Sequence, residues 1–242
     1  MPDKRSHRGA NPLDHDLFAA DRVPALCEAT CDLSWLLSRD YPSASALKLV
    51  GDRHRLAQRQ RVAVARAACS NKSLLRRRKR QAAIEQLTGR LLLIDGYNLL
   101  ITVEAALAGG VVLRARDGTY RDMASVHGTF RKVQETVPAI ELIGRFLARH
   151  GATQCTWYLD SPVSNSGRLK RTLLDAAASQ CWPWTVELVP DPDSLLGIAT
   201  DLIASADSAI LDRCSRWVNL ATEVIAACVP GAWLIDLGST NC

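Results

Sequence analysis

The chain has 242 residues, 48% of them apolar and 23% charged, which suits a globular protein with a sizeable core. No apolar run approaches the ~20 residues a membrane helix needs. The polar opening, MPDKRSHRGANPLDHD, has no apolar segment of the kind a secretory signal carries, so the expected location is the cytoplasm. The net charge of +5 is uneven: residues 1–90 hold 18 Lys and Arg against nine Asp and Glu, and residues 91–242 hold 12 against 16. That asymmetry predicts a basic part that meets a polyanion and an acidic part with another task.

In chain order, residues 1–20 read as poorly ordered, polar and without periodicity. Residues 21–90 read as a basic helical region. Helices are expected over 22–38, over RDYPSASALKLVGD until about Gly51, and over RHRLAQRQRVAVARAACS. RRRKR, residues 76–80, follows. From 91 onward the texture changes to a third region, 91–242. LLLID is a buried strand, and a hairpin-like piece follows around Gly109-Gly110 and Asp117-Gly118. Residues 123–151 read as one long helix, bent near Pro138 and stopped by Gly151. CTWYLD, WTVELV, LIASAD and AWLIDL are strands. SGRLKRTLLDAAASQ is a helix, DPDSLLG opens a short one, and SAILDRCSRWVNLATEVIAACV is largely helix. Strands that alternate with helices predict an α/β fold, a mostly parallel sheet flanked by helices. With no signal segment, the eight cysteines are expected to be free thiols. The CEATC pair, Cys27 and Cys31, can share a helix face, but no second pair follows at zinc-finger spacing.

Several strands end in aspartate: Asp95, Asp160 and Asp207, with Asp191 and Asp193 just after WTVELV. In a parallel sheet these ends share the carboxyl edge, where ligands of open α/β sheets bind. Carboxylates gathered there repel one another unless a cation sits between them, and oxygen ligands favour Mg²⁺ or Mn²⁺ over zinc. Any one such Asp, Asp207 and Asp193 included, could be only a helix cap. Asp236 reads as structural. In DGYN, Gly96 allows a tight turn or a close approach to phosphate. Asn98 can orient Asp95 or a substrate group, and Tyr97 can stack on a base or simply pack.

LLLIDGYNLL, with WYLD, PDPD and SAD following in order, resembles the NYN domains, the PIN-like metal-dependent ribonucleases that include the YacP-like proteins. The resemblance covers roughly 91–215. It implies phosphodiester hydrolysis, with Asp95, Asp160 and Asp207 as metal ligands and Asp193 in support. PDPDS matches the family pattern loosely, and Glu104 and Glu135 are both candidates for the family's helical acid. The whole chain also resembles a prokaryotic family of unknown function. Two rival readings stay open: a non-catalytic RNA-binding protein with a degenerate PIN-like fold, and a phosphatase or phosphotransferase of another α/β family. A haloacid-dehalogenase pattern would need Asp at position 97, which is Tyr.

Nucleic acid is the expected partner, RNA by the resemblance, with no membrane partner; a homodimer is open. Residues 39–80 hold 13 Lys and Arg against two acids, a surface that gains affinity by counterion release. Within it Arg53, Arg55, Arg59, Arg76, Arg77, Arg78, Lys79 and Arg80 are candidate contacts. Ser164, Asn165, Ser166 and Arg168 open a helix that could receive an anion, with Lys170 and Arg171 adding charge. His127 is a candidate general acid, with a structural role as the alternative.

Overall fold

A computed structural model describes residues 7–124 and 128–238, so His127 lies outside the described residues. Five helices come first: α1 (Asp14–Leu17), α2 (Val23–Leu37), α3 (Ser43–Arg53), α4 (Gln58–Ala67) and α5 (Asn71–Arg80). Then follow β1 (Gln81–Ala82), β2 (Leu91–Asp95), α6 (Gly96–Leu107), β3 (Val111–Arg114), β4 (Tyr120–Asp122) and α7 (Thr136–Arg149). The chain continues with β5 (Gln154–Asp160), α8 (Ser166–Ser179), β6 (Trp184–Val189), α9 (Pro192–Ile198), β7 (Leu202–Ala204), α10 (Ser208–Leu211), β8 (Arg216–Val218), α11 (Leu220–Cys228) and β9 (Trp233–Asp236).

The expected α/β architecture is present. Six strands form a sheet in the order β1-β8-β7-β2-β5-β6, and every pairing in it is parallel. Strand β2 lies inside it and is apolar on both faces, as a strand covered on both sides must be. Leu92 and Ile94 join the core under α6, α7, α8 and α11. Leu93 points the other way, into a smaller core with Leu196 of α9, Ile210 and Leu211 of α10, and Trp217.

A second sheet, β4-β3-β9, stands apart from the first. Val111, Leu113, Ile235 and Leu237 pack with Leu26, Leu33, Val50 and Val64 of the N-terminal helices in one core. The basic helical region therefore shares its hydrophobic interior with the second sheet.

Four expectations are corrected. Among the described residues of 123–151 the helix runs from Thr136 to Arg149, and Pro138 falls in its first turn, where its missing N–H costs nothing. The stretch read as largely helix from Ser208 is divided by strand β8. Its Trp217 is fully buried and donates Nε1–H to the Arg77 carbonyl at 2.8 Å. Residues 7–20 are held in place: Phe18 is buried, Asp14 is fully buried against the Arg59 guanidinium, and Arg8 bonds Glu104 at 2.8 Å. Of the cysteines, Cys27, Cys69, Cys155, Cys181, Cys214 and Cys228 are free thiols as expected, but Cys31 is disulfide-bonded.

Candidate active site at the carboxyl edge

Strand β2 runs into α6 on one face of the sheet, and its neighbour β7 runs into α10 on the other. Chains that leave adjacent parallel strands towards opposite faces open a crevice at the carboxyl edge, the usual ligand position in such sheets. Asp95 ends β2 and Asp207 follows β7, so both flank this crevice.

Asp95 is 7% exposed. Its carboxylate accepts from the Ser205 hydroxyl at 2.7 Å and has no cationic partner among the described residues. Burial pushes its pKa up, to about 7; Ser205 pulls it down, the charges of Asp207 and Asp193 raise it, and the Asn98 backbone lowers it. Ser205 is shared, since its oxygen also accepts from the Asp207 backbone N–H at 2.9 Å. One hydroxyl therefore ties the β7 exit to Asp95. The S-x-D spacing was visible in the sequence, but this bridging role was not.

The other acids ring the crevice. Asp207 caps α10, accepting from the Ala209 N–H at 2.7 Å, so the cap reading and the site reading both apply to it. Asp160 ends β5 half-buried, with its pKa raised by burial and by Asp191. The cap of α9 is Asp191, not Asp193. Asp193 lies on the rim; burial raises its pKa first, then the charges of Asp207, Asp160 and Asp191, while Arg213 lowers it. Among the described residues, no three His, Cys, Asp or Glu side chains are gathered tightly enough to hold a metal ion as they stand.

In DGYN, Gly96 and Tyr97 take the tight turn and the packing, each one of two expected uses. A Cβ on Gly96 would come within 2.9 Å of the Tyr158 carbonyl oxygen, so glycine there lets α6 start tightly against β5. The Asn98 side-chain oxygen accepts from the Ala206 N–H at 2.8 Å, so Asn98 positions the loop that carries Asp207 and makes no side-chain bond to Asp95. Tyr97 packs against Phe130 with ring centroids 5.5 Å apart. Its buried hydroxyl has no hydrogen-bond partner among the described residues. Glu104 and Glu135 are taken up elsewhere, Glu104 by Arg8 and Thr136 and Glu135 by His7 and Arg8.

The basic candidates divide. Arg77 is 2% exposed and bridges Asp117 at 2.6 Å and Asp212 at 2.7 Å; it is a structural ion and a correction to the expected contact surface. Arg59 is taken by Asp14 and Arg53 by Asp32, while Arg76 and Arg80 bond the Asp212 carbonyl. Arg55, Arg78, Lys79 and Arg168 are exposed. Ser166 is buried, and the Asn165 amide donates to the Phe130 carbonyl at 3.0 Å. Ser164 has an exposed side chain, but its backbone pairs with Gly128 and Phe130. Asp236 is structural as expected, paired with Arg114 at 2.9 Å.

Residues 84–223 match the family described as Domain of unknown function (DUF5616), and residues 25–80 match Protein of unknown function (DUF434). The chain is similar to "Uncharacterized protein MJ0935" of Methanocaldococcus jannaschii, with 27% identity over 198 residues, 82% of this chain and 93% of the relative. No solved structure matches it. Among the described residues, no helix is long and apolar enough to cross a membrane.

Proposed function

The chain belongs to the DUF5616 family, and on the geometry of its carboxyl edge we propose that it is a divalent-metal-dependent nuclease that hydrolyses phosphodiester bonds, with cytoplasmic RNA as substrate. One observation carries this: a buried carboxylate, Asp95, stands at the crevice with no counter-ion among the described residues and with further acids around it. A fold keeps an uncompensated buried charge only under constraint, and such groups mark functional sites.

The donor set fits Mg²⁺ or Mn²⁺, being all oxygen and of one charge sign. Asp95, Asp207 and Asp193 would hold the ion, with Asp160 on the β5 side. When bound, it would lower the pKa of attacking water and neutralise charge growing on the phosphate. The chain's own residues position the rest. Ser205 fixes the Asp95 carboxylate and the start of the Asp207 loop together, and Asn98 clamps that loop from α6. The exposed cations Arg55, Arg78, Lys79 and Arg168 supply salt-sensitive attraction for the polyanion.

A second reading, an RNA-binding protein without catalysis, is favoured by the loose spacing of the acids among the described residues. Incubation of the protein with labelled single-stranded and structured RNAs in Mn²⁺, Mg²⁺ or EDTA, beside Asp95→Asn, separates the two. Cleavage that needs both the ion and Asp95 is expected. Binding without cleavage in every condition would leave the second reading.

A further inference from the structure

A cavity of about 300 Å³ opens between the start of α7 and the start of α8. Phe130 and Leu169, each 2% exposed, line it with apolar surface. Arg131, Lys132 and Arg168 also line it; all three are exposed, and none of the three heads has an ion-pair partner among the described residues. No carboxylate lines it, and neither helix has an acidic residue in its first turn; the positive end of α8 is unopposed, while α7 has Glu135 as its N-cap. The nearby acids have partners: Glu104 is paired with the Arg8 guanidinium, and Glu135 accepts from the His7 ring and the Arg8 backbone N–H.

We infer that this cavity is a nucleotide subsite, holding one phosphate-bearing nucleotide of a single strand whose neighbouring linkage lies at the acidic edge. The cations receive the phosphate, and the Phe130 and Leu169 surface receives the sugar and base. The size is at the low end for small-molecule sites, enough for one nucleotide and too small for a duplex. A site for bare phosphate would not need the apolar floor. The Asn165 side chain is pinned to the Phe130 carbonyl, and the Thr129–Ser164 bridge closes the same wall, so the floor is preformed. The Phe130 ring packs on Tyr97, two residues beyond Asp95, which sets the cavity beside the crevice. Its place on the substrate rests on the nuclease reading; its affinity for a nucleotide does not.

The test is equilibrium binding of a labelled single-stranded ten-nucleotide RNA to the full chain in EDTA. The combined variant Arg131→Ala/Lys132→Ala/Arg168→Ala is compared with Arg22→Ala/Arg145→Ala/Arg149→Ala, which removes equal charge from exposed positions given no part in binding, after thermal melts show both are folded. The cavity variant should bind at least ~10-fold more weakly and lose about 2 units of salt slope, roughly 0.7 per lost phosphate contact. A nucleoside monophosphate should compete at the wild-type site more strongly than inorganic phosphate or the unphosphorylated nucleoside. Equal binding by both variants would overturn the subsite, and so would inorganic phosphate competing as well as the nucleotide. Wild-type cleavage is scored separately. Phosphate-dependent binding at the cavity without cleavage sinks the hydrolase and keeps the subsite; cleavage with unchanged binding by the cavity variant does the reverse.

Discussion

Two aspartates are buried to nearly the same degree, Asp95 at 7% and Asp117 at 6% exposure, and the fold treats them oppositely. Burial raises both. At Asp117 the Arg121 and Arg77 guanidinia and the Thr119 hydroxyl outweigh it, and the pKa falls below its ordinary value. At Asp95 the Ser205 hydroxyl and the Asn98 backbone oppose burial while Asp207 and Asp193 add to it, and the pKa rises to about 7. The Asp117 region is finished as it stands, a buried ion network joining α5 to the β3–β4 turn and the end of α10. The Asp95 carboxylate has no cationic partner among the described residues. The difference lies in partners, not in depth.

The largest expected effect is at the finished site. Asp117→Asn should destabilise the protein by about 3–5 kcal/mol, because two guanidinia lose their shared counter-charge in a buried place. Denaturant unfolding at pH 8 measures it, and a loss under ~1 kcal/mol would break the comparison.

Asp95→Asn should act with the opposite sign. The folded-state pKa of about 7 lies above the ordinary 3.8, so the folded chain holds this proton more tightly than the unfolded one. Stability contributed by that proton is complete below about pH 4 and is lost as pH rises through about 7. At pH 8 the variant should therefore be more stable than the wild type by on the order of 2–4 kcal/mol, at 1.36 kcal/mol per pKa unit. At pH 4 the two should match. Matching stabilities at pH 8 would remove the argument that Asp95 is uncompensated.

Ser205→Ala sharpens the same point. It strips the Ser205 hydroxyl from Asp95 and should cost about 1.5–3 kcal/mol at pH 8, as for hydrogen bonds to charged groups. The cost should shrink below pH 5, where the carboxyl is neutral. A pH-independent loss would assign Ser205 to packing alone.

The smallest stability effect is expected on the outer face of α5. Arg78→Ala/Lys79→Ala should change stability by under ~0.5 kcal/mol while lowering the salt dependence of RNA binding. Arg77→Ala, one residue away, should unfold the protein more readily. If all three behave alike, the division between buried and exposed cations is wrong.

The sheet was legible in the sequence because apolar runs ending in Asp have one good explanation in an alternating pattern, and β2, β5 and β6 lie where LLLID, CTWYLD and WTVELV are. Strand β8 was hidden because SRWV is three strand residues inside a helical context. The late start of α7 was hidden because Pro suits both a bend and a first turn. Position along strands placed Asp95, Asp160 and Asp207 at the carboxyl edge, where they lie. Which aspartate caps α9, and that Asn98 serves the β7 loop, depends on backbone N–H directions that spacing does not encode. Arg77 read as one more surface charge in RRRKR, because its acids, Asp117 and Asp212, lie 40 and 135 residues away.

The most direct measurement is the thermal midpoint of the wild type and of Asp95→Asn, with and without Mn²⁺, at pH 5 and pH 8. The ion should raise the wild-type midpoint most at pH 8, less at pH 5 where it competes with the Asp95 proton, and should leave Asp95→Asn nearly unmoved. An equal Mn²⁺ response in both proteins at both pH values would contradict the account, because the ion would then bind somewhere other than the carboxyl edge.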